Sequence, residues 1–384
     1  MSRFDEYLDR HNTDSYKWDT LDDSNMLPFW IADSDYKTFE GIKEKIIERA
    51  NHEAYAYTYA SDSYYKAVIN WYKDTKNVKL KKEWIVPFSG VVTALYLSVM
   101  LYIKKKDYVT ISTPVYNPFF DVILGNGRGL LENKLVIDGN TYKIDFDDLD
   151  DKLSKSKMFI LCSPHNPVGR CFRVDEIKQI VELCKKHKVI LVCDEIHSDI
   201  IMNDSKFTSI IEFLDDYNKI IVCTAPSKTF NIAGIQCANI IIKNKTLREK
   251  FTNLISAASM STPNIFALTA CKEAYTNGKK WMEEQNRYLT NTRDYVYDFF
   301  KKYIPKAKVF KLEATYLMWI DMSYLGLTQD ALVDGLKKAG VVINSGTKYS
   351  PDYVGYIRLN IACPLEQVKK GLERIRKFVE EIGK

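Results

Sequence analysis

From about residue 85 onward the chain alternates short apolar runs with stretches whose apolar residues recur every three or four positions. The runs are Tyr108–Ile111, Met158–Cys162, Val189–Cys193 and Ile220–Cys223. Alone, such a run suits a buried helix as well as a strand. The flanks decide for strands. Between the second and third, Asp175–Lys186 places Ile177, Ile180, Val181 and Cys184 on one face of an amphipathic helix. Strand–helix–strand units of about 30 residues with right-handed crossovers are expected from that alternation. The pattern predicts an α/β fold with a mainly parallel sheet.

Other elements follow from punctuation. A helix is expected from Val91 to Ile103 after a turn at Pro87-Phe88-Ser89-Gly90. Thr262 reads as an N-cap with Pro263 in the first helical position, opening a helix to Ala274. A charged helix follows over Lys279–Tyr303. Beyond it, strands at Tyr316–Ile320 and Ile357–Asn360 flank a helix over Gln329–Ala339. The reading is a large domain over 46–281 and a smaller α+β domain over 282–384, with residues 1–45 packing against the latter. No repeat or low-complexity linker interrupts the chain.

Composition changes little. With 46% hydrophobic and 27% charged residues, the 384-residue chain is ordinary globular material, large enough for two domains. Its 55 basic and 50 acidic residues form no stripe, so no nucleic-acid partner is expected. The first fifteen residues are polar and charged, unlike a signal peptide. No apolar run reaches the roughly 18 residues of a membrane span. A cytoplasmic setting with no membrane partner is therefore expected. The eight cysteines agree: Cys162, Cys193 and Cys223 end apolar runs, and no pair has CxxC spacing. They read as buried reduced thiols, and no metal site is expected.

Ligands of open parallel sheets bind outside the carboxyl ends of the strands. Ser163-Pro164-His165-Asn166 follows one strand, Asp194-Glu195-Ile196-His197 the next, and Ser227-Lys228-Thr229 the one after. Singly these are ordinary: Asn-Pro starts turns, Asp194 can cap a helix, and a lone lysine is usually solvated. Together at one sheet edge they match what pyridoxal 5′-phosphate requires. A carboxylate keeps the pyridine nitrogen protonated, a lysine amine binds the aldehyde, and an amide donor such as Asn166 serves the phenolate oxygen. Backbone N–H groups of Gly90, Val91 and Val92 at a helix start, with the Ser227 hydroxyl, suit the phosphate. Tyr116, after the first strand, can stack on the ring.

On these residues the chain resembles the fold-type I pyridoxal-phosphate enzymes, the aminotransferase class I/II superfamily. The motifs are Asn166-Pro-Val-Gly169, Asp194-Glu-Ile-His197, Ser227-Lys-Thr-Phe-Asn231 and Arg358-Leu-Asn360, in order along nearly the whole chain. Within that superfamily it is most similar to the PatB/MalY group of cysteine-S-conjugate (cystathionine) β-lyases. The pointers are Trp30-Ile-Ala-Asp33, Tyr55-Ala-Tyr57-Thr58, Cys162-Ser-Pro-His-Asn-Pro167 and Arg358-Leu-Asn-Ile-Ala-Cys363. The resemblance implies Lys228 as the Schiff-base lysine and α-proton base, and Asp194 as the partner of the ring nitrogen. It implies Asn166, with His197, at the phenolate oxygen, and Arg358 at the substrate carboxylate. A guanidinium fork suits that carboxylate on chemical grounds too. Tyr57 is expected to reach the phosphate of a neighbouring subunit, in a homodimer that shares active sites.

Two positions depart from the superfamily. Ala225 and Gln236 stand where many members carry Ser or Thr and Arg against the phosphate. Thr224 is expected to compensate for Ala225. The reaction expected is α,β-elimination from a small sulfur amino acid, giving thiol (homocysteine from cystathionine), pyruvate and ammonia. Transamination on the same residues, and a cofactor-binding regulatory partner protein, are the alternatives.

Overall fold

The computed structural model describes residues 2–383; the outermost residues of the first and last expected segments lie outside it. Its centre is a seven-stranded sheet. In chain order the strands are β1 (Ile85–Phe88), β2 (Tyr108–Thr113), β3 (Gly129–Lys134), β4 (Ser156–Cys162), β5 (Ile190–Asp194), β6 (Ile220–Thr224) and β7 (Ala238–Ile242). In space they run β1-β7-β6-β5-β4-β2-β3. Strand β7 is antiparallel to both neighbours, and the other pairings are parallel.

Both faces of this sheet are covered, which is why its central strands lack polar alternation. Phe159, Leu161, Leu191, Cys193, Ile220 and Val222 point into one apolar cluster. Their neighbours Met158, Ile160, Cys162, Val192, Ile221 and Cys223 point into another. The helix Val174–Lys186 buries Ile177, Ile180, Val181 and Cys184, the face expected from its periodicity.

Local corrections have local causes. Pro87 and Phe88 belong to β1 rather than to a turn. This is an edge strand, where a missing N–H is tolerated. The helix expected to open at Thr262-Pro263 instead spans Ile265–Asn277, because Asn264 is the residue whose side chain caps it, accepting from Ala267 N at 2.9 Å. The helices Val91–Tyr102 and Lys279–Tyr303 fall where the pattern puts them.

Beyond Tyr303 lies a second, antiparallel sheet of β8 (Lys308–Val309), β9 (Leu317–Asp321), β10 (Asn344–Ser345) and β11 (Tyr356–Asn360), ordered β8-β9-β11-β10. The N-terminal segment reaches it, with Leu27–Pro28 pairing in parallel with Val341–Val342. Residues 30–36 then run without regular structure between the two sheets. All eight cysteines are buried and free. No helix among the described residues is long and apolar enough to cross a membrane.

Candidate active site

Strands β4, β5 and β6 are adjacent and parallel, so Cys162 lies beside Asp194, and Asp194 beside Cys223. The loops after them therefore open at one edge. They meet the N-terminus of the helix Val91–Tyr102 around a cavity of 270 Å³, lined by Ser89 to Thr93, Tyr116, Asn166, Asp194, His197, Ala225, Ser227, Lys228 and Gln236.

Asp194 ends β5 and is buried, with Oδ1 accepting from Ile196 N at 3.0 Å. No cation pairs with it directly among the described residues. Burial pushes its carboxyl up to about 7, opposed by the Ile196 hydrogen bond and the charge of Lys228. A buried carboxylate of this kind favours a protonated ring nitrogen beside it.

Lys228 is partly buried, and its Nζ donates to the Ala32 carbonyl at 2.7 Å. Burial lowers its pKa; Asp33 and Asp194 oppose that, while Arg358 reinforces it. A depressed lysine pKa brings more of the amine to the neutral, nucleophilic form. His197 is buried and held neutral, its pKa lowered to about 3 by burial and by Lys228 and Arg358. Its Nδ1 has no hydrogen-bond partner among the described residues.

Asn166 is fixed from two directions. Its Oδ1 accepts from Arg358 Nη1 at 3.1 Å, and its backbone carbonyl accepts from Tyr116 N at 3.0 Å. The side-chain amide nitrogen is left to donate into the cavity. Beneath the loop, the His165 ring lies between the carbonyls of Pro114 and Cys162, its nitrogens 2.8 Å and 3.2 Å from them, and the neutral ring donates its single N–H to one of the two.

The helix Val91–Tyr102 begins at Gly90 with no side-chain cap. Its first-turn N–H groups, which no intrahelical carbonyl can satisfy, open on the cavity at the end of the helix dipole that favours negative charge. Ser89, Thr93 and Ser227 bring hydroxyls to the same cavity. Thr224 does not compensate for Ala225: it is buried within β6, its hydroxyl bonded to Tyr72.

Arg358, on β11, does not line the cavity but reaches it through Asn166. Its Nη2 donates to the Trp30 carbonyl at 2.7 Å, and the guanidinium lies 5.1 Å from the Tyr349 ring centre. Its Nε is buried with no hydrogen-bond partner among the described residues. Tyr57 stands apart, fully exposed in a shallow depression with Arg49, Ser61 and Ile265. The sequence reading missed the roles of Tyr316, whose hydroxyl donates to Ala32 O at 3.0 Å, and of Tyr349. Neither carries a motif; each arrives from the second sheet through tertiary packing.

The sequence model for aminotransferase class I and II matches residues 24–375. Cystathionine β-lyase PatB of Bacillus subtilis (strain 168) is 38% identical over 381 residues, covering 97% of this chain and 98% of its own length. The structure of cystalysin from Treponema denticola, which contains a pyridoxal 5′-phosphate cofactor, superposes with a TM-score of 0.95 at 32% identity, covering 99% of both chains. The pyridoxal-phosphate-bound C–S lyase of Staphylococcus hominis superposes with a TM-score of 0.92 at 32% identity, covering 98% of this chain and 97% of that one. A family match spanning both sheets and every loop of the cavity leaves one assignment: this chain belongs to the aminotransferase class I and II family.

Proposed function

We propose that the protein is a pyridoxal 5′-phosphate-dependent C–S β-lyase that cleaves cystathionine or a related cysteine S-conjugate. The observation that carries the reading is the shared cavity of Lys228, the unpaired buried Asp194 and the uncapped helix at Gly90. The unpartnered His197 Nδ1 fits the same group. The likeness to PatB and to the two lyase structures supports the choice of reaction.

When bound, the cofactor supplies an electron sink next to the substrate Cα. Lys228 would hold its aldehyde carbon, Asp194 its ring nitrogen, Asn166 and His197 its phenolate side, and Tyr116 its ring face. Gly90, Val91, Val92 and Ser227 would hold the phosphate, joined by Tyr57 of a second copy in a homodimer. Arg358 binds the α-carboxylate of the amino acid, using the donor on Nε that the protein leaves free. Lys228 would also be the base that takes the α-proton. Its depressed pKa suits it to that task.

Residues 46–281 would form the cofactor-binding domain and 282–384 the smaller one, with 1–45 packing on it as the Leu27–Pro28 pairing suggests. The buried free cysteines favour a reducing, cytoplasmic compartment.

Lyase and aminotransferase differ in where Lys228 returns the proton. Incubation of the holoenzyme with L-cystathionine and no keto acid separates them. Catalytic pyruvate, matched by an equal amount of thiol, is the lyase outcome. A single turnover that resumes only on adding a keto acid would replace this reading with transamination.

A further inference from the structure

The irregular segment 30–36 makes few backbone ladder bonds, yet its carbonyls are gripped by side chains. Asn360 Nδ2 donates to Ile31 O at 2.6 Å and to Asp33 O at 2.7 Å. Trp30 O and Ala32 O hold the two cations to which the proposed reaction gives work, Arg358 and Lys228. The strap thus sets how far the amine lies from the guanidinium.

Its other side is held by charge. Arg10 Nη2 lies 2.9 Å from Asp33 Oδ2, and Arg10 Nη1 lies 2.8 Å from Asp35 Oδ1. Lys17 Nζ lies 2.9 Å from Asp35 Oδ2 and 3.4 Å from Asp33 Oδ1. Trp18 Nε1 donates to Asp35 Oδ1 at 2.9 Å. Lys17 and Asp35 are each only 1% exposed. A cluster of four charges, with Lys17 and Asp35 buried and Arg10 and Asp33 partly so, is a poor way to gain stability, since apolar packing of equal volume often does as well or better. What it supplies is direction, because each carboxylate is held at both oxygens.

We propose that Arg10 and Lys17 are positioning residues for the reaction: by clamping Asp33 and Asp35 they fix the strap, so that Ala32 O and Trp30 O hold Lys228 and Arg358 in one register. The proposal rests on the roles assigned above to Lys228 and Arg358. The clamp also sets a field. The groups facing Lys228 are Asp33 on the strap, Asp194 at the end of β5 and His197 after it, Arg358 on β11, and Tyr316 before β9. Of these, Asp33 is the one whose charge Lys17 and Arg10 balance.

The test uses holoenzyme carrying Lys17→Met, Lys17→Arg or Arg10→Gln, and reads two quantities. One is the pH midpoint of the visible absorption of the bound cofactor; the other is kcat and KM taken separately. With Lys17→Met, Asp33 loses a balancing cation, the field at the Lys228 nitrogen becomes more negative, and the midpoint should rise by about 0.5–1 unit. KM for the amino acid should rise about tenfold as Arg358 loses its register. Lys17→Arg restores the charge and should restore the midpoint. Arg10, on the outer side of the clamp, provides a milder variant should Lys17→Met fail to fold. Variants that melt earlier yet keep the wild-type midpoint, kcat and KM would overturn the proposal. A shifted midpoint in an enzyme that makes no pyruvate would retain the clamp and remove the lyase reading instead.

Discussion

At the scale of single residues, Asp194 ties chemistry to stability. Its folded pKa of about 7 lies above the model-peptide value of 3.8, so the folded chain binds that proton more tightly than the unfolded chain does. The contribution of this group to stability therefore falls as pH rises from about 4 to 7, by a few kcal/mol in order of magnitude. Glu195, also raised to about 7 by burial, acts in the same direction. His197 and His165, lowered by burial to about 3 and about 4 from 6.5, act oppositely and add stability as pH rises toward 6.5. The unopposed loss lies near pH 7. Asp194→Asn should thus raise the melting temperature of cofactor-free protein at pH 8, while weakening cofactor binding. Thermal melts with and without pyridoxal phosphate check both; a lower melting temperature of the cofactor-free variant at pH 8 would contradict the account.

Arg358 gives a second expectation at this scale. Replacement by Lys keeps the charge but loses the fork, and should raise KM for the amino acid about 10–100-fold while changing kcat less. Steady-state kinetics decide it, and an unchanged KM would remove Arg358 from the carboxylate site. Asp194, Asn166 and Lys228 were legible in the sequence because each lies at or just past the end of an apolar run, and strand ends of a parallel sheet share an edge. Ala32, Tyr316 and Tyr349 were not, since a backbone carbonyl and two tyrosines among 25 carry no local signature.

Among elements, the helices were the easiest to read, because one buried face imposes a 3.6-residue period. The strap 30–36 was legible only as the motif Trp30-Ile-Ala-Asp33, not as a structural element: it has no period, and its hold comes from side chains far along the chain. The Asn166–Arg170 turn lies between these extremes. Gly169 sits at φ +71°, where a Cβ would lie 2.5 Å from Leu312 Cδ1. Its carbonyl accepts from Glu313 N at 2.8 Å and Ala314 N at 3.0 Å, so the turn cannot simply relax. Gly169→Ala should cost about 1–3 kcal/mol. Because the same turn aims Asn166, cofactor affinity should fall with it. Denaturant unfolding and cofactor titration of the variant measure the two effects, and wild-type stability would contradict the strain argument.

Across the whole molecule, the surface beside the cavity bears on the homodimer proposed above. Val92, Tyr96 and Met100 recur every four residues on the helix Val91–Tyr102 and form an exposed apolar stripe beginning at the cavity wall. Tyr55, Tyr57 and Tyr59 are likewise exposed. An apolar stripe continuous with a binding cavity is the kind of surface that protein interfaces cover. In the proposed homodimer a second copy would cover this stripe, and Tyr57 is the residue proposed to reach the phosphate held by the partner, beside Gln236. Two variants separate assembly from contact. Tyr96→Glu with Met100→Glu should sediment as a monomer and lose cofactor readily. Tyr57→Phe should remain dimeric yet bind cofactor about 10–100-fold more weakly, the loss expected for one hydrogen bond to a charged group. Sedimentation velocity alongside cofactor titration reads both, and a wild-type protein that sediments as a monomer while fully loaded would refute the shared site.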